Sequence, residues 1–514
     1  MTNDKAKGMR FAVRKAGPRS RGKRVRRDPR VGPVFLLAIL GGAAACSDGA
    51  SPATERVAAT DAPLTKAGVT LGALTPISPG PSPFGDGSCS GLPSNLPPPS
   101  FGQEGEPDIA VDPRDPDHVV AIYQQDRFAT GSSLADMTAV SRDGGRSFHL
   151  SRGGPPAFSG CTGGRRMQAT DPRVAIGIDG TVYAVGTVVD RDSTNTPIAD
   201  NLIFAVSHDG GESWGTPVEP YGAGLCEQSE LVADRFRPGH AYWISRCLSP
   251  DFNTCYGLSL TTTDGAATWS SSIVDTASCD DAFLANQDGF AELGDGTLTR
   301  VVRVVNFGGP PTAPDRLYSS RSRDLGRTWS PPKHLADSFT PGTTPLRIGF
   351  PVVAADPRPL RREVYAVWPD ADANNISLGT RMAVSRNGGE SWDLTTISST
   401  ASVGACLAAV AVNDDGVVGV SYMDGRFATD AQPGLADGWI VTVGAGAVGP
   451  RVERRLTNQS FDASALPVFF TGDYHAIAAG GDSFHPIIVL GTGQPTVDPT
   501  DVFSRRVTVQ DGAL

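Results

Sequence analysis

The stretch Ser207 to Trp214, SHDGGESW, decides the fold because its pattern returns four more times along the chain. The other copies read SRDGGRSF (141–148), TTDGAATW (262–269), SRDLGRTW (322–329) and SRNGGESW (385–392). Successive third positions are 66, 55, 60 and 63 residues apart. Self-similarity at a nearly fixed period is the mark of a repeat architecture. The third-position residues are Asp143, Asp209, Asp264, Asp324 and Asn387.

The pattern predicts a tight turn that carries its own anchor. A short Asp or Asn side chain accepts hydrogen bonds from backbone N–H groups just ahead of it, and the Gly that follows supplies positive φ. The hydroxyl at the seventh position bonds back across the turn. The terminal Trp or Phe has apolar area to bury as the next strand begins.

These copies resemble the Asp-box, or BNR repeat, of sialidases and related β-propellers, whose consensus is S-x-D-x-G-x-T-W. The third copy has Ala266 where the consensus has Gly, and the fifth has Asn387 for Asp. The resemblance implies a box between the third and fourth strands of each blade, on the face away from the ligand site. It therefore implies a structural role for the boxes.

The rest of the sequence is typical of an all-β protein. Gly 60, Pro 41 and 7% aromatic residues fit many strands and turns, and we find no long run with helical periodicity. First strands are predicted at seven places, as PDIAVD (107), PRVAIG (172), SELVAD (229), DGFAEL (288), PVVAAD (351), AAVAVN (408) and YHAIAA (474). Each is followed by a second strand. The count favours a single β-propeller of seven blades over residues 101–514, with the boxes on one face, and six blades, as in sialidases, as the alternative.

Closure of that ring requires the two ends of the chain. The last unit ends at FSRRVTV (503–509) without a fourth strand. One strand from before Phe101 would complete the seventh blade, and Val69-Thr70-Leu71 is one such segment. A closed ring leaves no open sheet edge.

Residues 1–46 are typical of a lipoprotein-type export signal. Twelve Lys or Arg and two Asp precede or flank an apolar run, Val34 to Leu40, that is too short to span a bilayer. The run leads to Ala43-Ala44-Ala45-Cys46, which resembles a bacterial lipobox with lipid on Cys46; simple cleavage after a small residue is the alternative. Residues 47–100, rich in Pro, Ser and Gly, are predicted to be a tether. We expect an exported protein held at a membrane.

The net charge excludes one class of partner. The whole chain has 45 Lys and Arg against 55 Asp and Glu, and without residues 1–46 these numbers become 33 and 53, a net charge of −20. An acidic body is repelled by phosphate backbones, so we expect no nucleic-acid partner. The sequence leaves the oligomeric state open.

Eight cysteines predict disulfides in an exported chain. If Cys46 carries lipid, seven cysteines are left. Because this number is odd, at least one of them is a free thiol or forms an intermolecular bond. We favour Cys247 with Cys255, which flank a loop between strands, and Cys226 with Cys279. Cys89 with Cys161 is a third pair. Spacing does not determine the connectivity.

Candidate functional residues lie in the polar segments that lead into first strands. A ring of first strands would bring these segments together around one axis. For any single residue, a charged loop that faces water is the alternative interpretation. The candidates are Arg165, Arg166, Asp171, Glu227, Asp281, Asp288, Arg347, Asp473, Tyr474 and His475.

The resemblance to sialidases implies roles for most of these candidates. In that family three Arg bind the substrate carboxylate, a Tyr assisted by a Glu is the nucleophile, and an Asp is the acid/base. The catalytic candidates so implied are Tyr474, Asp473 and Glu227. The substrate-binding candidates are Arg166, Arg347, Asp171, Asp288 and His475. The family's early Arg-Ile-Pro motif is absent from the first unit, and its nearest likeness is Arg347-Ile348-Gly349-Phe350-Pro351.

No local spacing predicts a cofactor or a metal site. The segment 370–375 begins like a calcium loop, but Arg381 stands where a bidentate Glu is needed. His475 and His485 are not spaced with other ligands in a zinc pattern. No phosphate loop or nucleophile elbow occurs.

Two functional classes follow from the sequence. The first is a cell-surface, glycan-binding relative of sialidases, which hydrolyses glycans if it is an enzyme. The second is a non-catalytic propeller that docks proteins or peptides. Clustered Arg, carboxylates and Tyr favour the sugar, and the sequence leaves open whether the protein is an enzyme.

Overall fold

The computed structural model describes residues 68–78, 80–85, 89, 98–129, 131–192, 197–221, 226–249, 254–278, 288–305, 313–341, 346, 349–400, 403–467 and 470–510. Within these ranges the side chains of residues 197–200, 227–229, 277–278 and 288 are not described. Strands make up 58% of the structure, which confirms the all-β prediction. The described part of the chain contains no helix long and apolar enough to span a membrane.

The strands form consecutive antiparallel groups that follow the sequence repeats. A separate strand, β1 (Val69–Pro76), precedes them. The first group is β2 (Ser100–Asp112), β3 (Asp115–Arg127), β4 (Ser133–Ser141) and β5 (His149–Leu150). The second is β6 (Gln168–Ile176), β7 (Val182–Arg191) and β8 (Pro197–Ser207). A single pairing of β4 with β6, Ser133 opposite Ala169, joins these first two groups into one sheet. The third is β9 (Cys226–Ala233), β10 (Ala241–Leu248), β11 (Thr254–Thr262) and β12 (Ser270–Ser278).

Four further groups complete the chain. The fourth is β13 (Asp288–Glu292), β14 (Leu298–Val304), β15 (Asp315–Ser322) and β16 (Lys333–Ser338). The fifth is β17 (Val352–Ala355), β18 (Val364–Ala371), β19 (Ser377–Ser385) and β20 (Asp393–Thr396). The sixth is β21 (Ala405–Val412), β22 (Val418–Asp424), β23 (Leu435–Gly444), β24 (Val448–Arg455) and the short β25 (Phe461–Asp462). The last is β26 (Ala476–Gly480), β27 (Ser483–Gln494) and β28 (Asp498–Val509).

The first strands of the groups contact one another in sequence. Contacts run from β2 to β6, β9, β13, β17, β21 and β26, and β26 contacts β2 again. The strand β1 pairs antiparallel with β28, from Val69 opposite Val509 to Pro76 opposite Phe503. This pairing confirms that a segment before Phe101 joins the last three strands. It also places β1 inside residues 47–100, so the paired part of the chain begins within the predicted tether.

The hydrophobic core is divided among the interfaces between successive groups. One cluster joins Val120 and Val140 of the first group to Val174, Ala184 and other residues of the second. Similar clusters join the fourth group to the fifth and the sixth to the last. Central strands are therefore covered on both faces, and every residue of β4 is buried.

The boxes have the predicted internal hydrogen bonds. In the second box Ser207 Oγ donates to Asp209 Oδ1 at 2.7 Å, and Ser213 donates from its N–H and its hydroxyl to the same carboxylate at 2.9 and 2.5 Å. The backbone N–H of Gly211 donates to Ser207 Oγ at 2.8 Å. The other boxes repeat these bonds around Asp143, Asp264, Asp324 and Asn387.

Departures from the consensus keep the same turn. Ala266 adopts φ 69° where the consensus has Gly, so this box holds a non-Gly residue in the left-handed region. In the fifth box the amide of Asn387 donates to Ser391 Oγ at 2.8 Å, which reverses the direction of the hydroxyl bond in the Asp boxes. The turn therefore tolerates both changes.

The aromatic ends of the boxes are half-buried, which corrects the expectation of fully buried anchors. Each ring packs along the rim of a core cluster, as Trp214 and Trp392 do. Two of the rings bond to the preceding group, since Trp214 Nε1 donates to Thr138 Oγ1 at 3.3 Å and Trp392 Nε1 donates to Ser319 Oγ at 3.2 Å. The boxes thus connect neighbouring sheets as well as closing their own hairpins.

The disulfides differ in part from the predicted pairs. Cys89 bonds to Cys161, as predicted. Cys226 bonds to Cys247 and not to Cys279, because the two cysteines lie directly opposite each other in the β9–β10 ladder with Cα atoms 4.1 Å apart. The predicted Cys247–Cys255 pair is therefore also wrong, although Cys255 is disulfide-bonded. Cys406 is a buried thiol, and Cys46 and Cys279 lie outside the described residues.

Candidate functional site

A buried polar network lies where the first, second and third groups meet the segment before β26. We call it the ring network. It consists of Glu106, Asp108, Gln124, Arg127, Asp136, Thr170, Asp171, Arg173, Glu230, Asp473 and Tyr474.

Backbone bulges place the acidic residues of this network. The ladder of β2 shifts register between Gly105 and Asp108, and that of β6 shifts between Thr170 and Arg173. Glu106 and Asp171 occupy these shifts with φ 48° and 52°. Each is followed by a Pro that begins the first-strand pattern of its group. A bulge re-aims the side chain at that position, so both carboxyl groups turn out of the regular ladder.

Glu106 lies at the centre of the network. Only 1% of its surface is exposed, and its carboxyl is hydrogen-bonded to the Asp171 side chain. The amide of Gln124 donates to Glu106 Oε2 and, at 2.5 Å, to Thr170 Oγ1. Burial raises the pKa of Glu106 well above its usual range, and the charges of Asp171 and Asp473 raise it further against the opposing effect of Arg127. Burial and the neighbouring carboxyl groups therefore favour the protonated form of Glu106.

The segment before β26 reaches Glu106 because Gly472 allows a close approach. The backbone N–H of Glu106 donates to Thr471 O at 3.3 Å. Gly472 adopts φ 137°, and a Cβ at this position would lie 2.8 Å from Glu106 N. A side chain at 472 would push the segment away, and Asp473 and Tyr474 with it.

Two arginines balance part of the negative charge. Arg127 donates from Nη1 to Gln124 Oε1 at 2.8 Å, and its guanidinium carbon lies 3.3 Å from the centre of the Phe470 ring. Arg173 is stacked on Tyr474, with its guanidinium carbon 3.5 Å from the ring centre. Burial opposes its charge, but the acidic groups around it, first the Tyr474 phenol and then Glu230, raise the pKa of Arg173. Both guanidinium groups remain charged.

A second layer of titratable groups lies two residues further along the first strands. Asp108, Arg173 and Glu230 hold equivalent places in consecutive groups, which puts Arg173 between two carboxyl groups. Asp108 accepts the backbone N–H groups of Ile109 and Val174, both at 2.9 Å. Burial raises the pKa of Glu230 to about 7, against the opposing charge of Arg173.

Asp136 faces the network from β4. It is 1% exposed, and neither of its carboxylate oxygens has a hydrogen-bond partner among the described residues. Burial, and then the charge of Glu106, raises the pKa of Asp136 well above its usual range. Gly186 leaves the room for this carboxyl, because a Cβ there would lie 2.6 Å from Asp136 Oδ2.

Tyr474 is held as a neutral phenol. It is 2% exposed, and its hydroxyl donates to the carbonyl oxygen of Pro172 at 2.8 Å. Burial raises its pKa well above the usual range, and the charges of Glu106 and Asp171 oppose the lowering effect of Arg173. Its hydroxyl thus donates to a backbone carbonyl rather than to a carboxylate that would take up its proton.

The predicted site residues divide into three sets. Asp171, Asp473 and Tyr474 come together in the ring network. Arg166 pairs instead with acidic residues of its own group, Asp190 at 2.8 Å and Glu219 at 2.5 Å. His475 is buried, accepts the backbone N–H of Val489 at 3.4 Å, and has a pKa lowered to about 3 by burial.

Of the remaining predicted residues, only Arg165 has a described side chain. Glu227 lies in β9 opposite Arg246 and Asp288 begins β13 opposite Val302, but their side chains are not described. Arg347 and Asp281 lie outside the described residues, and Arg165 is exposed.

The sequence analysis missed Glu106, Arg127, Asp136, Arg173 and Glu230. Glu106 carried a detectable signal, because it precedes its first-strand pattern just as Asp171 and Asp473 precede theirs. Arg127 and Asp136 come from second and third strands, where no repeat pattern marks them.

Comparisons with known proteins give distant similarities only. No protein-family model matches the chain, and no curated protein does. A solved structure of a protein of unknown function from Dyadobacter fermentans is similar with a TM-score of 0.45 and 12% identity, over 86% of this chain and all of that one. A Hadza microbial sialidase is similar with a TM-score of 0.40 and 15% identity, over 63% of each chain. An α-L-arabinanase of Penicillium chrysogenum is similar with a TM-score of 0.41 and 14% identity, over 69% of this chain and 94% of that one. We therefore base the functional proposal on the chain's own residues.

Proposed function

We propose that the protein is an exported, membrane-anchored β-propeller that binds and hydrolyses glycans at the ring network. The observation that carries this proposal is the side-chain hydrogen bond between Glu106 and Asp171. Glycoside hydrolysis uses one carboxylic acid that protonates the leaving oxygen and a second carboxylate that acts as base or nucleophile. We assign the acid to Glu106, whose pKa is raised by burial and by Asp171. Asp171 is too close to Glu106 to be the second group, so that role falls to Asp473.

Arg127 and Arg173 provide the positive charge in this site. Guanidinium groups bind carboxylates and hydroxyl groups through several N–H donors. An acidic sugar fits this combination of acid, carboxylate and guanidinium. A reaction of sialidase type would in addition need Tyr474 as nucleophile, whereas its hydroxyl bonds to Pro172 O. We therefore assign the proton transfer to Glu106.

We also propose that the seven groups are the blades of one propeller, with the boxes on the face opposite the working site. The cyclic contacts of the first strands support this arrangement. The pairing of β1 with β28 supports it further, since it gives the last sheet a fourth strand. An experimental structure with six blades, or with two separate domains, would contradict the proposal.

Export with lipid on Cys46 belongs to the same proposal. The Cys89–Cys161 and Cys226–Cys247 disulfides support an oxidising compartment. Mass spectrometry of the native protein tests the anchor, and we expect a lipid-modified Cys46 as the first residue. An unmodified first residue in protein from the soluble fraction would contradict it.

A non-catalytic scaffold is the second candidate function. The scaffold function is favoured by the burial of the ring network, because a buried side chain is not accessible to a substrate. Glu106, Tyr474 and Asp171 are 1%, 2% and 8% exposed. In that case the network only stabilises the meeting point of the sheets, and proteins or peptides dock on the surface above it.

An activity screen separates the two functions. The mature protein is tested on aryl glycosides, including a sialoside and an arabinoside, and on a glycan array. Glu106→Gln is compared with Glu390→Gln, a matched change at an exposed residue of the fifth box. Turnover lost only in the first variant supports the proposal, and additional loss in Tyr474→Phe identifies the sialidase type. If the parent protein neither hydrolyses a substrate nor retains a glycan, the non-catalytic scaffold is the function that remains.

A further inference from the structure

A separate acidic cluster lies where the first and the last groups meet. Glu104 of β2 and Asp498 and Asp501 of β28 each offer one oxygen atom, and these atoms lie within 4.8 Å of one another. Glu104 is 0% and Asp498 5% exposed, and Asp501 is half-buried. Thr500 ties the two strands together, because its hydroxyl donates to Glu104 O at 3.0 Å and accepts the Glu104 N–H at 2.8 Å.

The negative charge of this cluster lacks compensation by a basic side chain. Among the described residues, no Lys or Arg forms an ion pair with Glu104, Asp498 or Asp501. Burial raises the pKa of Glu104, and the charges of Asp501, Asp498 and Asp126 raise it further. Burial and then Asp498 raise the pKa of Asp501 to about 6. Buried carboxylates without a counter-charge are costly, so a compact group of them favours a bound cation.

Buried polar atoms without hydrogen-bond partners among the described residues surround the cluster, which indicates a site for a bound ion. The hydroxyl of Tyr123 is fully buried without a hydrogen-bond partner, and the charges of Glu104 and Asp501 act on it. Asp498 Oδ1 and the amide oxygen of Gln125 are likewise buried without partners in the described structure. Native proteins satisfy nearly all such atoms, with protein, water or ion.

We propose that Glu104, Asp498 and Asp501 bind a calcium ion at the seam between the first and the last sheets. Calcium takes six to eight oxygen ligands at about 2.3–2.6 Å, so ligand atoms on opposite sides of the ion lie about 4.8 Å apart. A neutral oxygen is at hand, since Ser78 Oγ donates to Asp501 Oδ1 at 3.2 Å. Zinc is disfavoured because the cluster contains neither His nor Cys.

A calcium ion at this site would link β2 of the first group to β28 of the last group. Its ligands come from strands nearly four hundred residues apart in the sequence, which is why no local calcium-loop spacing predicts it. An ion bound only by the folded protein stabilises it in proportion to the logarithm of the ion concentration. The proposed ion therefore has a stabilising role, and its site is distinct from the ring network.

Metal analysis and thermal unfolding of the full mature protein test the proposal. After chelation, removal of the chelator, reloading with CaCl2 and gel filtration, we expect one calcium per chain by inductively coupled plasma mass spectrometry. The unfolding midpoint should rise with added CaCl2 and should not rise with MgCl2 at equal ionic strength. Asp501→Asn and Glu104→Gln should lose both the bound calcium and the shift.

Asp372→Asn is the matched control, because Asp372 lies in the exposed loop that begins like a calcium site, and its Oδ1 accepts only neighbouring backbone N–H groups. It should retain the calcium and the shift of the parent. If the cluster variants fail to fold, the parent with and without chelator still decides. A parent protein that binds no calcium, and whose midpoint is the same with CaCl2 and with chelator, would overturn the proposal.

Discussion

The side chains of Glu106 and Asp171 are hydrogen-bonded to each other although they belong to different repeat groups, on strands β2 and β6. Each occupies the bulge ahead of its own first-strand pattern, so the repeat itself brings the two carboxyl groups together. Two carboxyl groups this close do not both ionise readily, and the pair retains a proton. This relationship makes Glu106 the group on which the proposed chemistry depends.

Replacing Glu106 with Gln should abolish the acid while keeping the shape of the side chain. We expect kcat on a responsive aryl glycoside to fall by about 10²–10⁴-fold, the usual contribution of a general acid. Because the acid must be protonated, activity of the parent should decline as pH rises through the raised pKa of Glu106. A pH–rate profile of parent and variant measures both effects.

Leaving groups of different acidity provide the control for this prediction. A substrate with a very good leaving group needs little protonation, so Glu106→Gln should impair it much less than a poor one. Equal impairment of both substrates would show that Glu106 holds the site together rather than donating a proton.

Glu230 should make stability depend on pH. Its pKa is raised from 4.5 to about 7 in the folded protein, so folding takes up a proton between these values. Stability from this group is therefore present below about pH 4.5 and declines as pH rises through 7, by at most about 3 kcal/mol. We expect Glu230→Gln to remove that decline, and denaturant unfolding at pH 5 and pH 8 measures it. A parent and a variant with the same pH dependence would contradict the expectation.

Trp214 and Trp392 should contribute less to stability than fully buried rings do. Each is half-buried at the edge of a core cluster and bonds to a hydroxyl of the preceding repeat group. We expect Trp214→Ala and Trp392→Ala each to lower the free energy of unfolding by about 1.5–3 kcal/mol. Trp214→Phe keeps most of the apolar area and should lose about 1 kcal/mol with the bond to Thr138. Unchanged unfolding midpoints would show that the rings are not anchors.

The Cys226–Cys247 disulfide should stabilise the third sheet. It closes a segment with a sequence separation of 21 residues, for which the chain-entropy model gives about 3 kcal/mol. The double change Cys226→Ala and Cys247→Ala should lower the free energy of unfolding by about that amount. Cys406→Ala, at a buried thiol, is the control. Its unfolding midpoint should fall further on addition of dithiothreitol than that of the double variant, because it still has the Cys226–Cys247 bond to lose. A double variant as stable as the parent would contradict the prediction.

Much of the fold was predictable because its information is local and repeated. The box turn follows from the side chains of Ser207, Asp209 and Ser213, which bond to one another within seven residues. The first and second strands follow from short apolar patterns, and the need to close the ring pointed to residues 69–71. Local patterns were sufficient wherever neighbours in sequence are neighbours in space.

The site was harder to predict because its partners come from separate strands. Asp171 and Asp473 were found by their equivalent places in the repeats, whereas Asp136 enters from a third strand that carries no repeated acidic residue. Arg166 was chosen for its charge, but Asp190 and Glu219 pair with it. The Cys226–Cys247 bond depends on the register of β9 against β10, which spacing does not reveal.

The pairing of β1 with β28 also sets the order in which the molecule can be completed. Val69 meets Val509 only after a further 440 residues, ending with Val509 itself, have been synthesised. At about 5–20 residues per second this takes about 20–90 s, during which β1 has no ladder partner. Its backbone groups are an open strand edge for that period, to which another chain can pair. An unfinished chain aggregates less if β1 is kept from pairing with other chains until residue 509 has emerged. A chain in which β1 is free to pair earlier aggregates more.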